Sequence, residues 1–265
     1  MRALTKARIL WGLAAAMALI AALAGVLTPG IYGRVVSNEV MPGVLSQDAM
    51  TTAAAVAALV LALRTGPDDA RGQAVVLGIM GFLYYAYGVY SIERIYTPLY
   101  LLYLAILGLS FFGLIYGVVT VAPLASRGIA MPRLVRAVSV AFLLLVPAMF
   151  YPLWIARLLP LMRTGAKPEF FYSVYILDLS FIMPAFLIVA ARVVRRDGLG
   201  LLLTPALFIV GFTLLAPLPI GELLKPRYGV APDWFSFWLF LSLATVFLIL
   251  AVVDLLALRV GREPA

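Results

Sequence analysis

From Ile9 to about Pro29 the chain carries no charged residue. Seven further apolar runs of similar length follow: Val44 to Leu63, Ala74 to Ile92, Tyr96 to Val121, Ala137 to Ala156, about Tyr172 to Val194, Leu199 to Ile220 and Trp234 to Leu258. A helix of about 20 residues crosses the roughly 30 Å hydrocarbon layer of a bilayer. Eight such helices use about 160 of the 265 residues, which leaves short loops and no room for a sizeable water-soluble domain. Apolar residues make up 65% of the chain and charged residues 12%, against about 45–50% and about 25% in soluble domains. Water-facing surface could not conceal so much apolar area, so lipid is the solvent. The expected fold is an all-α polytopic transmembrane bundle of about eight helices, forming one domain over residues 1–265. A signal peptide has an apolar region of only about 7–15 residues. The longer first run therefore reads as a retained helix, with Ala22 to Gly25 as the alternative, a cleavage context.

The residue inventory excludes several chemistries. With no cysteine and no histidine, disulfides, thiol redox chemistry and His- or Cys-held zinc or haem are ruled out. The sequence contains no P-loop, no dinucleotide-binding GxGxxG after a strand and no GxSxG elbow. No span carries a lysine for a retinal-type Schiff base, and none carries an arginine ladder. No cofactor and no metal site is expected. The net charge of +8 sits in short segments between apolar runs. That placement suits orientation in the membrane and contact with anionic headgroups rather than nucleic acid.

Alternation of the spans sorts the charges. With the N-terminus inside, the inner segments hold thirteen basic residues: Arg2, Lys6, Arg8, Arg64, Arg71, Arg127, Arg133, Arg136, Arg192, Arg195, Arg196, Arg259 and Arg262. The outer segments hold seven: Arg34, Arg94, Arg157, Arg163, Lys167, Lys225 and Arg227. The positive-inside rule then places both termini in the cytoplasm, in the plasma membrane of a prokaryote. The acidic residues lean outward, through Glu39, Asp48, Glu93, Glu169, Asp178, Glu222 and Asp233, and this points to a polar role for the outer face. The chain also divides into two sets of four spans, residues 1–124 and 125–265. In each set the second helix has an aspartate near its outer end (Asp48, Asp178), and an arginine-containing inner turn follows. Such a duplication would be parallel, with its twofold along the membrane normal. The alternative is that any eight alternating spans divide into two fours.

Asp178 is the most telling residue, because a carboxylate within a span costs about 2.5–3.5 kcal/mol at mid-membrane. It should face a partner or a wet cavity, either as a binding group or as a structural pair with Arg157, Arg94 or a tyrosine. Pro184 deletes a backbone bond to Ser180 and should loosen the same helix. Asp48 reads either as an N-cap accepting from the amide of Met50 or Thr51 or as part of a shared site with Gln47. Glu93 and Arg94 sit at the tip between the third and fourth spans, where they are either solvated or, for Arg94, turned inward as a counter-charge. Gly81, Tyr84, Tyr87, Gly88 and Ser91 recur at helical spacing. Tyr84 and Tyr87 are deep enough to line a pocket, whereas Tyr90, Tyr96, Tyr100 and Tyr103 fit the aromatic belt. Gly113 and Gly117 form a GxxxG motif for close helix packing. Pro147, Pro152, Pro205, Pro217 and Pro219 interrupt two spans, as in transporters whose broken helices line sites. Asp254 should reach the headgroups or Arg259.

The segments SQDAMTTAAAVAAL, YYAYGVY with YTPLYLLYLAILGLS, and YILDLSFIMP resemble a group of bacterial multi-spanning membrane proteins. In that group Gln-Asp opens one helix and Leu-Asp-Leu opens a later one. Ser46 stands where the group would have glycine. The resemblance implies no activity, but it directs attention to Gln47, Asp48 and Asp178.

Three functions follow in order of preference. The first is transport or binding of a small solute or ion, with Asp48, Asp178, Gln47, Tyr84, Tyr87, Glu93 and Arg94 around an outward-side site. The second is a scaffold or accessory subunit with a membrane-protein partner or a second copy of itself. The third is an intramembrane enzyme on a lipid-linked substrate, with the two aspartates as acid and base.

Overall fold

A computed structural model describes residues 2–126, 128–167 and 172–261. Eight helices are long and apolar enough to span a membrane: α1 (Ala3–Leu27), α2 (Met41–Arg64), α3 (Ala70–Ile92), α4 (Tyr100–Ala125), α5 (Arg133–Thr164), α6 (Tyr172–Val194), α7 (Gly198–Tyr228) and α8 (Trp234–Ala257). The protein is an all-α, multi-pass integral membrane protein whose apolar helices contact the bilayer. Large side chains such as Leu101, Leu134, Ile188 and Leu256 are exposed on the outside of the bundle, where lipid tails replace a protein core. Arg127, Glu169 and Arg262 from the charge analysis lie outside the described residues.

α3 and α7 form the middle of the bundle and pack on each other. α1 lies on α2 and α4, and α3 lies on α4. On the other side α5 lies on α6, and α7 on α6 and α8. The GxxxG motif packs closely as its spacing suggests. The Trp11 ring of α1 lies over Gly113 and Gly117 of α4, and its indole N–H donates to the Gly113 carbonyl at 2.9 Å. A Cβ on Gly117 would stand 2.5 Å from Leu77 Cδ2 and 3.1 Å from Trp11.

Both described ends lie at one face, here called the terminal face. There Arg8 of α1 donates to the carbonyls of Ala62 and Leu63 at the end of α2, and Arg71 of α3 donates to those of Leu256 and Leu258 at the end of α8. A cation on the free carbonyls of a helix C-terminus satisfies them and complements the helix dipole. Two short strands close the same face: β1 (Ile129–Ala130), after α4, pairs antiparallel with β2 (Arg259–Val260), after α8.

Three spans differ from the apolar runs. α5 continues past Ala156 through Arg157, keeps Pro160 inside the helix, and stops at the left-handed Gly165 (φ 69°). α7 continues beyond Ile220 with a break at Ala216, where Pro217 starts a second segment that packs on α2. α2 starts at Met41, with Pro42 in its first turn, where proline's missing N–H costs nothing.

Candidate functional site

That early start of α2 changes the reading of Asp48. It stands two turns inside the helix and is not its N-cap. The residue is 2% exposed, and both oxygens are taken: Tyr32 Oη donates to Oδ2 at 2.7 Å and Tyr90 Oη to Oδ1 at 2.9 Å. Tyr32 reaches this depth because the α1–α2 connection folds a 3₁₀ turn, Pro29–Tyr32, back into the bundle. The rings of Tyr87, Tyr90 and Tyr103 pack edge-on or tilted at 5.3–5.8 Å around the hydroxyls. Gly25 of α1 closes the remaining side, since a Cβ there would lie 1.9 Å from Asp48 Oδ2. Asp48 is therefore an acceptor enclosed in a tyrosine cage. Tyr87 belongs to that cage, and its hydroxyl donates to the Ala18 carbonyl at 3.2 Å.

Asp178 has different surroundings. It begins a π turn, Asp178–Ile182, in which the amide of Met183 bonds to the carbonyl of Asp178. The loosening anticipated at Pro184 takes this form, and single π turns within α-helices often mark functional sites. The indole N–H of Trp154 on α5 donates to Asp178 Oδ2 at 2.8 Å, and the Tyr85 hydroxyl stands beside the same carboxylate. Arg157, a candidate partner from the sequence, instead lies 5.5 Å from the Trp154 ring centre.

Asp178, Gln47, Tyr85, Glu93 and Trp154 share the wall of a cavity of about 390 Å³ bounded by α2, α3, α5, α6, α7 and α8. Asp48 is not on that wall. Tyr90 joins the two regions, because it bonds Asp48 and also lines the cavity. The Nε2 of Gln47 is buried and has no hydrogen-bond partner.

The other candidates separate. Glu93 caps the start of α6 from α3, its Oε1 accepting from the Ser173 amide at 2.7 Å and the Ser173 hydroxyl at 2.6 Å. Arg94 is exposed in the turn with a left-handed backbone (φ 56°) and forms no ion pair with Asp48 or Asp178 among the described residues, so it is not a counter-charge. Tyr84 faces a second, almost wholly apolar groove between Phe111 and Phe181. The α3 stripe of Gly81, Tyr84, Tyr87, Gly88 and Ser91 is thus not one polar face. Asp254 does not reach headgroups: it is wholly buried and accepts from Ser139 of α5 at 2.8 and 3.0 Å. Of the remaining outward-leaning acids, Glu222 pairs with Lys225 at 2.7 Å. Asp233 caps α8, where the Ser236 hydroxyl and the Phe235 amide hold its carboxyl below the usual carboxylate range.

Tyr85, Trp154 and Tyr32 are the site residues that the sequence does not announce. Trp154 carries a weak signal, as a tryptophan with a proline two residues before it near the outer end of a span. Compared with protein-family models, with curated proteins and with solved structures, the chain matches none, so its site has to be read from its own geometry.

Proposed function

We propose that this protein binds a small molecule in the cavity between its two sets of four helices and moves it across the membrane. The observation that carries this reading is a 390 Å³ cavity whose wall holds both Asp178 and the unpartnered Gln47 amide. Ligand sites are concave, mostly apolar and about 300–1,000 Å³, with a few convergent polar groups. A buried donor without a partner costs about 1–3 kcal/mol, and a ligand acceptor would relieve that cost.

Transport is supported by the placement of the breaks. The π turn of α6 and the Ala216–Pro217 break of α7 both adjoin the cavity, and such interruptions line the sites of transporters. Division into parallel halves, 1–124 and 125–265, is part of the proposal. Three placements favour it. β1 after the fourth span pairs with β2 after the eighth. The start of α3 meets the end of α8 through Arg71. The start of α7 meets the end of α4, where a Cβ on Gly198 would lie 2.4 Å from the Ala125 carbonyl oxygen. Rocking of one half against the other would open the cavity between them. The excess of basic residues on the terminal face supports a cytoplasmic location for that face, in a prokaryotic cell.

The test is a thermal-stabilisation screen of a mixed solute panel on the purified protein and on Val174→Trp, which fills the cavity from α6. The expected result is at least one solute that stabilises the native chain and loses its effect in Val174→Trp and in Gln47→Leu. If every stabilising solute acts equally on the filled variant, or none acts at all, the cavity is not a binding site. The chain has no cysteine, so orientation is open to single introduced thiols. Ser37→Cys should react with an impermeant maleimide in intact cells, and Ser126→Cys only after lysis.

A further inference from the structure

The wall chemistry of the cavity narrows what it would take. Two carboxyl groups, Asp178 and Glu93, lie on it, and among the lining residues there is no lysine or arginine to neutralise them. Asp178 accepts from Trp154 at Oδ2 and has the Tyr85 hydroxyl beside it, and both bonds from Ser173 fall on Glu93 Oε1; a carboxylate can accept about four hydrogen bonds, so capacity remains on each group. The wall also holds seven aromatic side chains: Tyr85, Tyr90, Phe150, Trp154, Phe186, Phe240 and Phe247. Most of the remaining surface is aliphatic.

An anion would meet two like charges in a low-dielectric pocket, which is strongly unfavourable. A hard inorganic cation requires about six to eight oxygen ligands. Among the described residues no group of three acidic side chains is placed to hold one, and the aromatic wall would not replace its water. An uncharged apolar molecule would fill the space but leave both carboxyl groups without a counter-charge. An organic cation with an apolar body answers the carboxyl groups and the aromatic and aliphatic wall, and the Gln47 amide would need an acceptor elsewhere on the molecule. Its charge faces carboxylate oxygens and aromatic faces, where cation–π contacts contribute about 0.5–2 kcal/mol each, and its body takes the apolar wall.

We propose that the ligand of this cavity is a lipophilic organic cation, an amine or quaternary ammonium with an apolar body, seated between Asp178 and Glu93 with Trp154 beside the charge. This rests on the reading of the cavity as a ligand site and adds the ligand's class.

The experiment uses the full chain in nanodiscs of neutral phosphatidylcholine. Three probes of near-equal shape are compared by saturable, displaceable binding: benzyltrimethylammonium, its uncharged carbon isostere neopentylbenzene, and the anion benzylsulfonate. The cation is expected to bind at least about tenfold tighter than the isostere, and the anion not to bind. Asp178→Asn keeps the shape and should cost the cation about tenfold or more while leaving the isostere unchanged. If the isostere or the anion binds as tightly as the cation, the proposal is overturned while the cavity stands as a binding site. That comparison uses the native chain alone, so a variant that fails to fold cannot rescue the idea. Unchanged cation affinity in a folded Asp178→Asn also overturns it. If no probe binds and the solute screen is also negative, the binding reading falls together with this one.

Discussion

Asp48 and Asp178 lie on the second and sixth spans, each about two turns from the start of its helix, yet their surroundings are opposite. Asp48 is closed in by Gly25 and by two tyrosine hydroxyls, one on each of its oxygens. Asp178 takes an indole N–H at one oxygen, has the Tyr85 hydroxyl beside it, and lines a cavity from a π turn. A buried polar group that is fully bonded adds rigidity and specifies packing, whereas one left partly unsatisfied is available to a ligand. The pair thus separates two settings of a carboxyl group in a membrane protein: one fixes the α1–α2 connection to α3, and the other lies on the wall of a cavity.

If that division is right, the two residues should fail differently. Asp48→Ala deprives two buried hydroxyls of their carboxylate acceptor, leaving Tyr32 only the Tyr103 hydroxyl and Tyr90 only the Val44 carbonyl, at 3.3 Å. A stranded buried donor costs about 1–3 kcal/mol and the lost volume adds to it, so the variant should lose about 3 kcal/mol. Asp178→Ala releases Trp154 into a cavity that can admit water, and should lose only about 1 kcal/mol. Unfolding by graded SDS in mixed micelles measures both. Equal losses would erase the distinction.

The enclosing wall gives a second test. Gly25→Ala places a methyl 1.9 Å from Asp48 Oδ2, against a carboxylate pinned by two tyrosines. Overpacking of this kind costs about 1–3 kcal/mol. Gly43 is helical too, lies on the α2 side of the Asp178 cavity, and has nothing within 4 Å of its would-be Cβ. Gly43→Ala should be neutral or stabilise by about 0.5–1 kcal/mol from helix propensity. The same SDS titration decides the contrast, and a tolerated Gly25→Ala would mean that the cage is loose.

The legible parts of this structure are those that the bilayer dictates. Eight spans follow from run length, and the close packing at Gly113 and Gly117 from their spacing, because lipid tolerates few other solutions. The depth of Asp48 is hidden because its apolar run begins only at Val44, although Pro42 is a start signal by itself. The α3 stripe divides for a different reason. Periodicity groups residues by angle, but α3 is surrounded by α4, α2, α6 and α7. Tyr84, Tyr85 and Tyr87, within one turn of each other, therefore point into three different environments. Which arc meets which neighbour is a property of the assembled bundle and not of the segment.

The smallest effect expected on either side of the comparison tests that last point. The Tyr84 ring packs on Phe111 and Phe181 away from both carboxylates, in a groove with almost no polar surface. Tyr84→Phe removes only the hydroxyl and should change stability by less than about 0.5 kcal/mol, leaving probe binding untouched. Tyr85→Phe, one residue along, takes a hydroxyl from beside Asp178 and should shift cation affinity by a few-fold with little change in stability. Single-residue resolution is the point of the pair. If Tyr84→Phe altered binding and Tyr85→Phe did not, α3 would have to be rotated by about 100° about its axis, and the assignment of Asp178 and Asp48 to separate environments would fall with it.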